Sequence, residues 1–98
     1  MDVEAALRPL CGKEVEAVIE DLAGHDPVAP PRTFELMRVK LLPEGTHLQC
    51  YLNLTQFLSI PVFSDERTRL TLDGPNGTTF VSEDLQGQLR YMLAWKSP

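Results

Sequence analysis

A histidine and a cysteine close together in sequence are the first place to look for a metal ligand pair or an activated thiol, and His47 and Cys50 stand three residues apart. His25 and Cys11 complete the inventory of two histidines and two cysteines. Leu48, Cys50, Leu52 and Leu54 alternate with His47, Gln49, Tyr51 and Asn53, the pattern of a strand with one wet face. Residues three apart on a strand point to opposite faces, so this pair is not placed to share an ion. Neither C-x-x-C nor H-E-x-x-H occurs, and the expectation is no metal and no cofactor. Cys50 falls on the apolar side and reads as a small hydrophobe rather than a thiolate. G-x-S-x-G and glycine-rich phosphate loops are missing, and Ser64-Asp65-Glu66-Arg67 reads as a solvated turn. No catalytic residue is assigned, and the chain is expected not to be an enzyme.

Two patterns bear on recognition. Pro27-Val28-Ala29-Pro30-Pro31-Arg32 has the P-x-x-P-x-R spacing of peptides that dock in aromatic grooves, but it reads first as a stiff proline-rich linker over residues 26–32. Arg38 and Lys40 share a strand face, as do Arg67 and Arg69, which permits a basic stripe of four charges. Alternation along each strand puts no Phe or Tyr on that stripe for base stacking, so edge charges that deter aggregation are the plainer reading. Asn53-Leu54-Thr55 and Asn76-Gly77-Thr78 fit the glycosylation sequon. Without a secretion signal, both read as chance matches.

The bulk numbers agree with one small globular domain. Ninety-eight residues make a single domain, 1–98, large enough for a core without disulfide staples. The net charge of −5 is unevenly spread. Residues 1–36 hold eight acids and three bases, and residues 37–98 hold six of each. An acidic first third repels phosphate backbones and anionic lipid, so neither nucleic acid nor membrane is the expected partner. No apolar run is long enough to span a bilayer, and the acidic Met1-Asp2-Val3-Glu4 is unlike a signal peptide. The expected location is cytoplasmic.

The elements that must position these residues follow from periodicity. Residues 2–8 predict a helical turn with Asp2 as N-cap and Pro9 as its stop. Val15, Val18, Ile19 and Leu22 recur at helical spacing and predict a helix over 13–23, ended by Gly24. A strand reading through Val15, Ala17 and Ile19 leaves Val18 and Leu22 unexplained. Residues 33–42 predict a strand apolar on both faces, with Phe34, Leu36 and Leu42 on one and Met37, Val39 and Leu41 on the other. A turn at 43–46 leads to the strand from His47. Residues 55–63 predict a turn and a short edge strand interrupted by Pro61. Residues 67–72 and 78–81 pair around the 73–77 turn, with Leu70 and Leu72 inward. Ser82 then predicts an N-cap, with Leu85, Leu89, Met92 and Leu93 on one face of a helix over 83–96. A strand through Leu89, Tyr91, Leu93 and Trp95 competes with it.

The expected fold class is therefore α+β: an antiparallel β-sheet of about five strands with an N-terminal and a C-terminal helix on one face. The alternative is a small SH3- or Sm-like β-barrel. Two short helices cover one face only, and the uncharged run Leu54–Phe63 needs cover as well. Leu54, Phe57, Leu58, Ile60, Val62 and Phe63 are the expected interface, with a homodimer as the simplest partner. The expected function is a non-catalytic protein-binding or regulatory module. A small nucleic-acid-binding barrel and an enzyme of unrecognised type are the alternatives.

Overall fold

The structure is a computed structural model that describes residues 3–24, 30–74 and 77–96, with Asp73 described by its backbone alone. Helix α1 (Val3–Leu7) runs into a 3-10 turn (Arg8–Leu10) that contains Pro9. Strands β1 (Glu14–Asp21), β2 (Arg32–Glu35), β3 (Arg38–Leu41), β4 (His47–Tyr51), β5 (Phe57–Pro61), β6 (Thr68–Gly74), β7 (Gly77–Asp84) and β8 (Leu89–Trp95) follow. Strand accounts for 55% of the described residues and helix for 9%.

The expected α+β architecture is thus overturned: both long helices are strands. Over residues 13–23 the decisive signal is period two. Val15 and Ala17 are buried while Glu14 and Glu16 are exposed, and the β-branched Val15, Val18 and Ile19 suit a pleated surface. Val18 lies on the outer face opposite Met92 of β8, and Leu22 donates its N–H to Gln88 O just beyond the strand. Both residues that favoured a helix are thereby placed. Over residues 83–96, Ser82 is no cap but a fully buried residue within β7. The chain reverses at Leu85–Gln88, where Asp84 Oδ1 accepts the Gly87 N–H and Gln88 takes φ 59°. Leu89–Trp95 then returns as β8, paired on both sides.

The strands form a five-stranded sheet in the order β2-β1-β8-β7-β6 and a three-stranded sheet in the order β3-β4-β5, every neighbour antiparallel. Residues 33–42 form two strands, not one. The break at Leu36–Met37 carries the chain from one sheet to the other and resets the alternation. Phe34 and Leu36 point inward before it, Val39 and Leu41 point inward after it, and Met37 is left outside. A run that looks apolar on both faces therefore packs one face against one core. The break is anchored to the turn before β1, where Gly12 donates to Leu36 O and Leu36 donates to Lys13 O.

The core lies between the sheets. Val15, Ala17, Phe80, Leu93 and Trp95 meet Val39, Leu48, Cys50 and Ile60, and α1 adds Val3 and Leu7. Strand β5 crosses the larger sheet. Its Leu58 shares a slot with Ile19 of β1, while its Pro61 carbonyl accepts a hydrogen bond from Ser82 Oγ of β7. With Ser82 donating there, the 2.9 Å contact to Thr68 Oγ1 has Thr68 as donor, and Thr68 Oγ1 in turn accepts the Phe63 N–H at 2.8 Å. Every polar atom of this buried chain is satisfied, and it clasps the two sheets together where β5 and β6 share no backbone ladder.

Candidate interaction surface

Antiparallel register assembles what no single strand displays. The pairings Arg38↔Tyr51 and Tyr51↔Phe57 set three side chains in a row across the outer face of the three-stranded sheet. The Arg38 guanidinium lies 4.5 Å from the centre of the Tyr51 ring, and the Tyr51 and Phe57 rings are 5.2 Å apart at 46°. The Tyr51 hydroxyl donates to Gln49 Oε1, which ties this row to the next, Lys40, Gln49 and Ser59. No acidic residue occurs on β3, β4 or β5.

The turn between β4 and β5 extends this surface. Asn53 Oδ1 accepts the backbone N–H groups of Thr55 and Gln56 at 2.9 and 2.8 Å, and Asn53 Nδ2 donates to Gln56 Oε1. Asparagine suits the position because its short carboxamide mimics a backbone turn. The knot holds Leu54 at the tip with 86% of its surface exposed, near Met37 at 47% and Phe57 at 45%. Met37, Arg38, Tyr51, Asn53 and Leu54 line one shallow hollow. Methionine, arginine and aromatic residues in one exposed cluster match the composition of interface centres.

The expected interface residues divide. Leu54 and Phe57 lie on this face and are exposed. Leu58, Val62 and Phe63 are half-buried, and Ile60 is fully buried in the core. Arg38 and Tyr51 were not expected, because alternation along one strand does not reveal which residue of the next strand stands opposite. The basic stripe is also divided. Arg67 forks onto Asp65 and lies 4.0 Å over the Phe63 ring, and Arg69 pairs with Glu83 at 3.0 Å. Arg38 and Lys40 have no ion pair among the described residues.

His47 and Cys50 do point to opposite faces. His47 Nδ1 lies 3.1 Å from Thr46 Oγ1 at the surface, and Cys50 is fully buried. Burial, with a smaller contribution from nearby Cys11, pushes the Cys50 thiol up to about 12, so it stays protonated at neutral pH and is a core residue. Among the described residues no group of three or more His, Cys, Asp or Glu is placed to hold a metal. No helix among them is long and apolar enough to cross a membrane. His25, Asp2, Asn76 and most of the 26–32 linker lie outside the described residues.

The chain matches no family model, no curated protein and no solved structure.

Proposed function

We propose that this chain is a non-catalytic protein-binding module that docks its partner on the outer face of the three-stranded sheet. The carrying observation is the ordered, exposed cluster of Met37, Arg38, Tyr51, Leu54 and Phe57. Stacked on one another before any partner arrives, Arg38, Tyr51 and Phe57 lose less entropy on binding than free side chains would. Arg38 and Lys40 on an acid-free face favour a partner that offers apolar side chains flanked by carboxylates. A cytoplasmic setting accords with two free thiols, which a reducing compartment preserves.

The test compares three baits: wild type, Phe57→Glu, and Leu72→Glu, which changes an exposed leucine on the other sheet. A protein held by wild type and Leu72→Glu but lost by Phe57→Glu, and still held after nuclease treatment, supports the reading. Equal capture by all three overturns it.

A single-stranded nucleic acid is the second reading, favoured by aromatic rings beside Arg38 and Lys40. Against it, Arg38 and Phe57 already flank the Tyr51 ring, and the chain as a whole carries −5. Fluorescence anisotropy with labelled oligo(dT) and oligo(U) distinguishes the two. Binding that weakens steeply with salt and is lost in Arg38→Glu would favour nucleic acid over protein.

A further inference from the structure

Strand β5 has a free edge whose hydrogen-bonding groups can be assigned one by one. Leu52 donates to Gln56 O and Val62 donates to Thr46 O, which fixes the parity of the β4–β5 ladder. Leu58 and Ile60 therefore spend their backbone groups on β4, while Phe57, Ser59 and Pro61 point theirs the other way. Pro61 O accepts from Ser82 on that side, and the next outward group, the Phe63 N–H, is taken by Thr68. The N–H and C=O of Phe57 and of Ser59 remain. These four groups have no partner among the described residues, and both residues are exposed.

Such a row is a template for another strand, and proteins commonly blunt it with charge. The other sheet edges are blunted. Strand β2 carries Arg32 and Glu35, β6 carries Arg69, and β3 carries Arg38 and Lys40. The outward N–H of Leu41 on β3 is further covered by Glu4 of α1 at 2.7 Å. Strand β5 lies within ten uncharged residues, Leu54–Phe63.

We infer that β5 pairs antiparallel with β5 of a second copy of this chain, Phe57 standing opposite Ser59 of the partner subunit. The proline and the Asn53 turn narrow the register: with the axis at Phe57, each Ser59 carbonyl would face a Thr55 N–H already held by Asn53. Were the twofold axis to pass through Ser59, each Phe57 carbonyl would face Pro61 of the partner subunit, which has no N–H to give. With the axis at Leu58, Phe57 and Ser59 exchange both bonds with their counterparts, and all four groups on each strand are used. The two three-stranded sheets become one of six strands. Phe57 and Phe57 of the partner subunit become diagonal neighbours, within reach of aromatic side chains, and join the two Tyr51–Phe57 pairs in one band. An uncharged strand meets its own copy without like-charge repulsion. The pairing extends the protein-binding reading to a second copy of this chain, held at the edge of the same sheet rather than on its outer face. A contact of one strand edge per subunit is small, so the pairing is sought up to high concentration.

Sedimentation equilibrium from roughly 20 μM to roughly 1 mM tests it at the concentrations an interface this small requires. The expected result is a mass rising towards twice the 11.0 kDa of one chain. Ser59→Pro removes an outward N–H without touching the β4 ladder, so it abolishes the dimer while the far-UV circular dichroism spectrum is retained. Amide exchange on the unaltered chain gives an independent readout: Phe57 and Ser59 should gain protection as concentration rises, and Thr71 should not. A single 11.0 kDa species throughout overturns the pairing, as does a dimer that survives Ser59→Pro. A monomer that still loses a captured protein on Phe57→Glu separates failure of this pairing from failure of the docking face.

Discussion

On the outer face of the five-stranded sheet, Glu83 holds Arg69 at 3.0 Å and Arg90 at 3.2 Å, and Arg90 reaches Glu20 at 3.5 Å. On the outer face of the three-stranded sheet, Arg38 lies over the ring of Tyr51 and has no ion pair among the described residues. Both faces are built of strands with a buried underside, and both carry arginines on exposed positions. In the larger sheet, strands from opposite ends of the chain bring Glu20, Glu83, Arg69 and Arg90 into register, so both arginines are paired, while Glu14, Glu16 and Glu35 on the same face have no ion pair among the described residues. In the smaller sheet three consecutive strands pair, and none of them carries an acid. A face that pairs its own arginines keeps them from a partner. One that leaves arginine, lysine and aromatic side chains exposed still has interactions to offer.

The largest effect separates the inner from the outer aromatic. Phe80→Ala empties a fully buried position in the larger sheet and should cost about 3–5 kcal/mol in chemical denaturation. Phe57→Ala in the smaller sheet should change stability by less than about 1 kcal/mol. Similar losses would mean that Phe57 supports the fold rather than the surface.

Next in size is the clasp between the sheets. Ser82→Ala leaves the Thr68 hydroxyl and the Pro61 carbonyl without their buried partner, a cost of about 1–3 kcal/mol. Hydrogen exchange should rise first at Phe63, whose amide depends on Thr68. Faster exchange spread evenly over both sheets would show that the clasp does not act locally.

Cys50 reports how well the core between the sheets excludes water. In the native chain Cys11 should react with a thiol reagent first, and Cys50 only on unfolding. With the folded thiol raised to about 12 and the unfolded one near 9.0, the folded state binds more protons between these values. The stability this contributes is fully present below pH 9 and is lost as pH rises towards 12. Cys50→Ala should remove that alkaline decline, read from melting temperatures across the range.

The smallest effect concerns the ion ladder. Hydrogen bonds from Arg69, and then from Arg90, hold the Glu83 carboxyl below its ordinary value. A depressed folded pKa gives stability that is present above the unfolded value and is lost as pH falls through the folded one. Glu83→Gln should flatten the acid limb of the stability curve, with a change of less than about 1 kcal/mol at neutral pH. An unchanged acid limb would show that the ladder contributes nothing.

The sequence by itself determined the core face of β3 and β4 and the turn that joins them. Leu48, Cys50 and Val39 are buried as their alternation requires, His47 and Cys50 part to opposite faces, and the turn at Pro43–Thr46 is where proline and glycine put it. These are local matters, settled by the period of a strand and the dihedral preferences of turn residues. Leu54, expected to end a strand, instead stands exposed in the Asn53–Gln56 turn, and Leu72, expected inward, is exposed. Residues 13–23 and 83–96 were legible in either period, because Val18 and Met92 are apolar on an outer face where each covers the other across β1 and β8. A helical stripe and a strand with one extra cross-strand contact look alike along a single chain. The break at Leu36–Met37 and the row Arg38–Tyr51–Phe57 were decided by the tertiary structure alone. Register couples residues far apart in sequence, and only long-range packing between the sheets chooses among the registers that alternation allows.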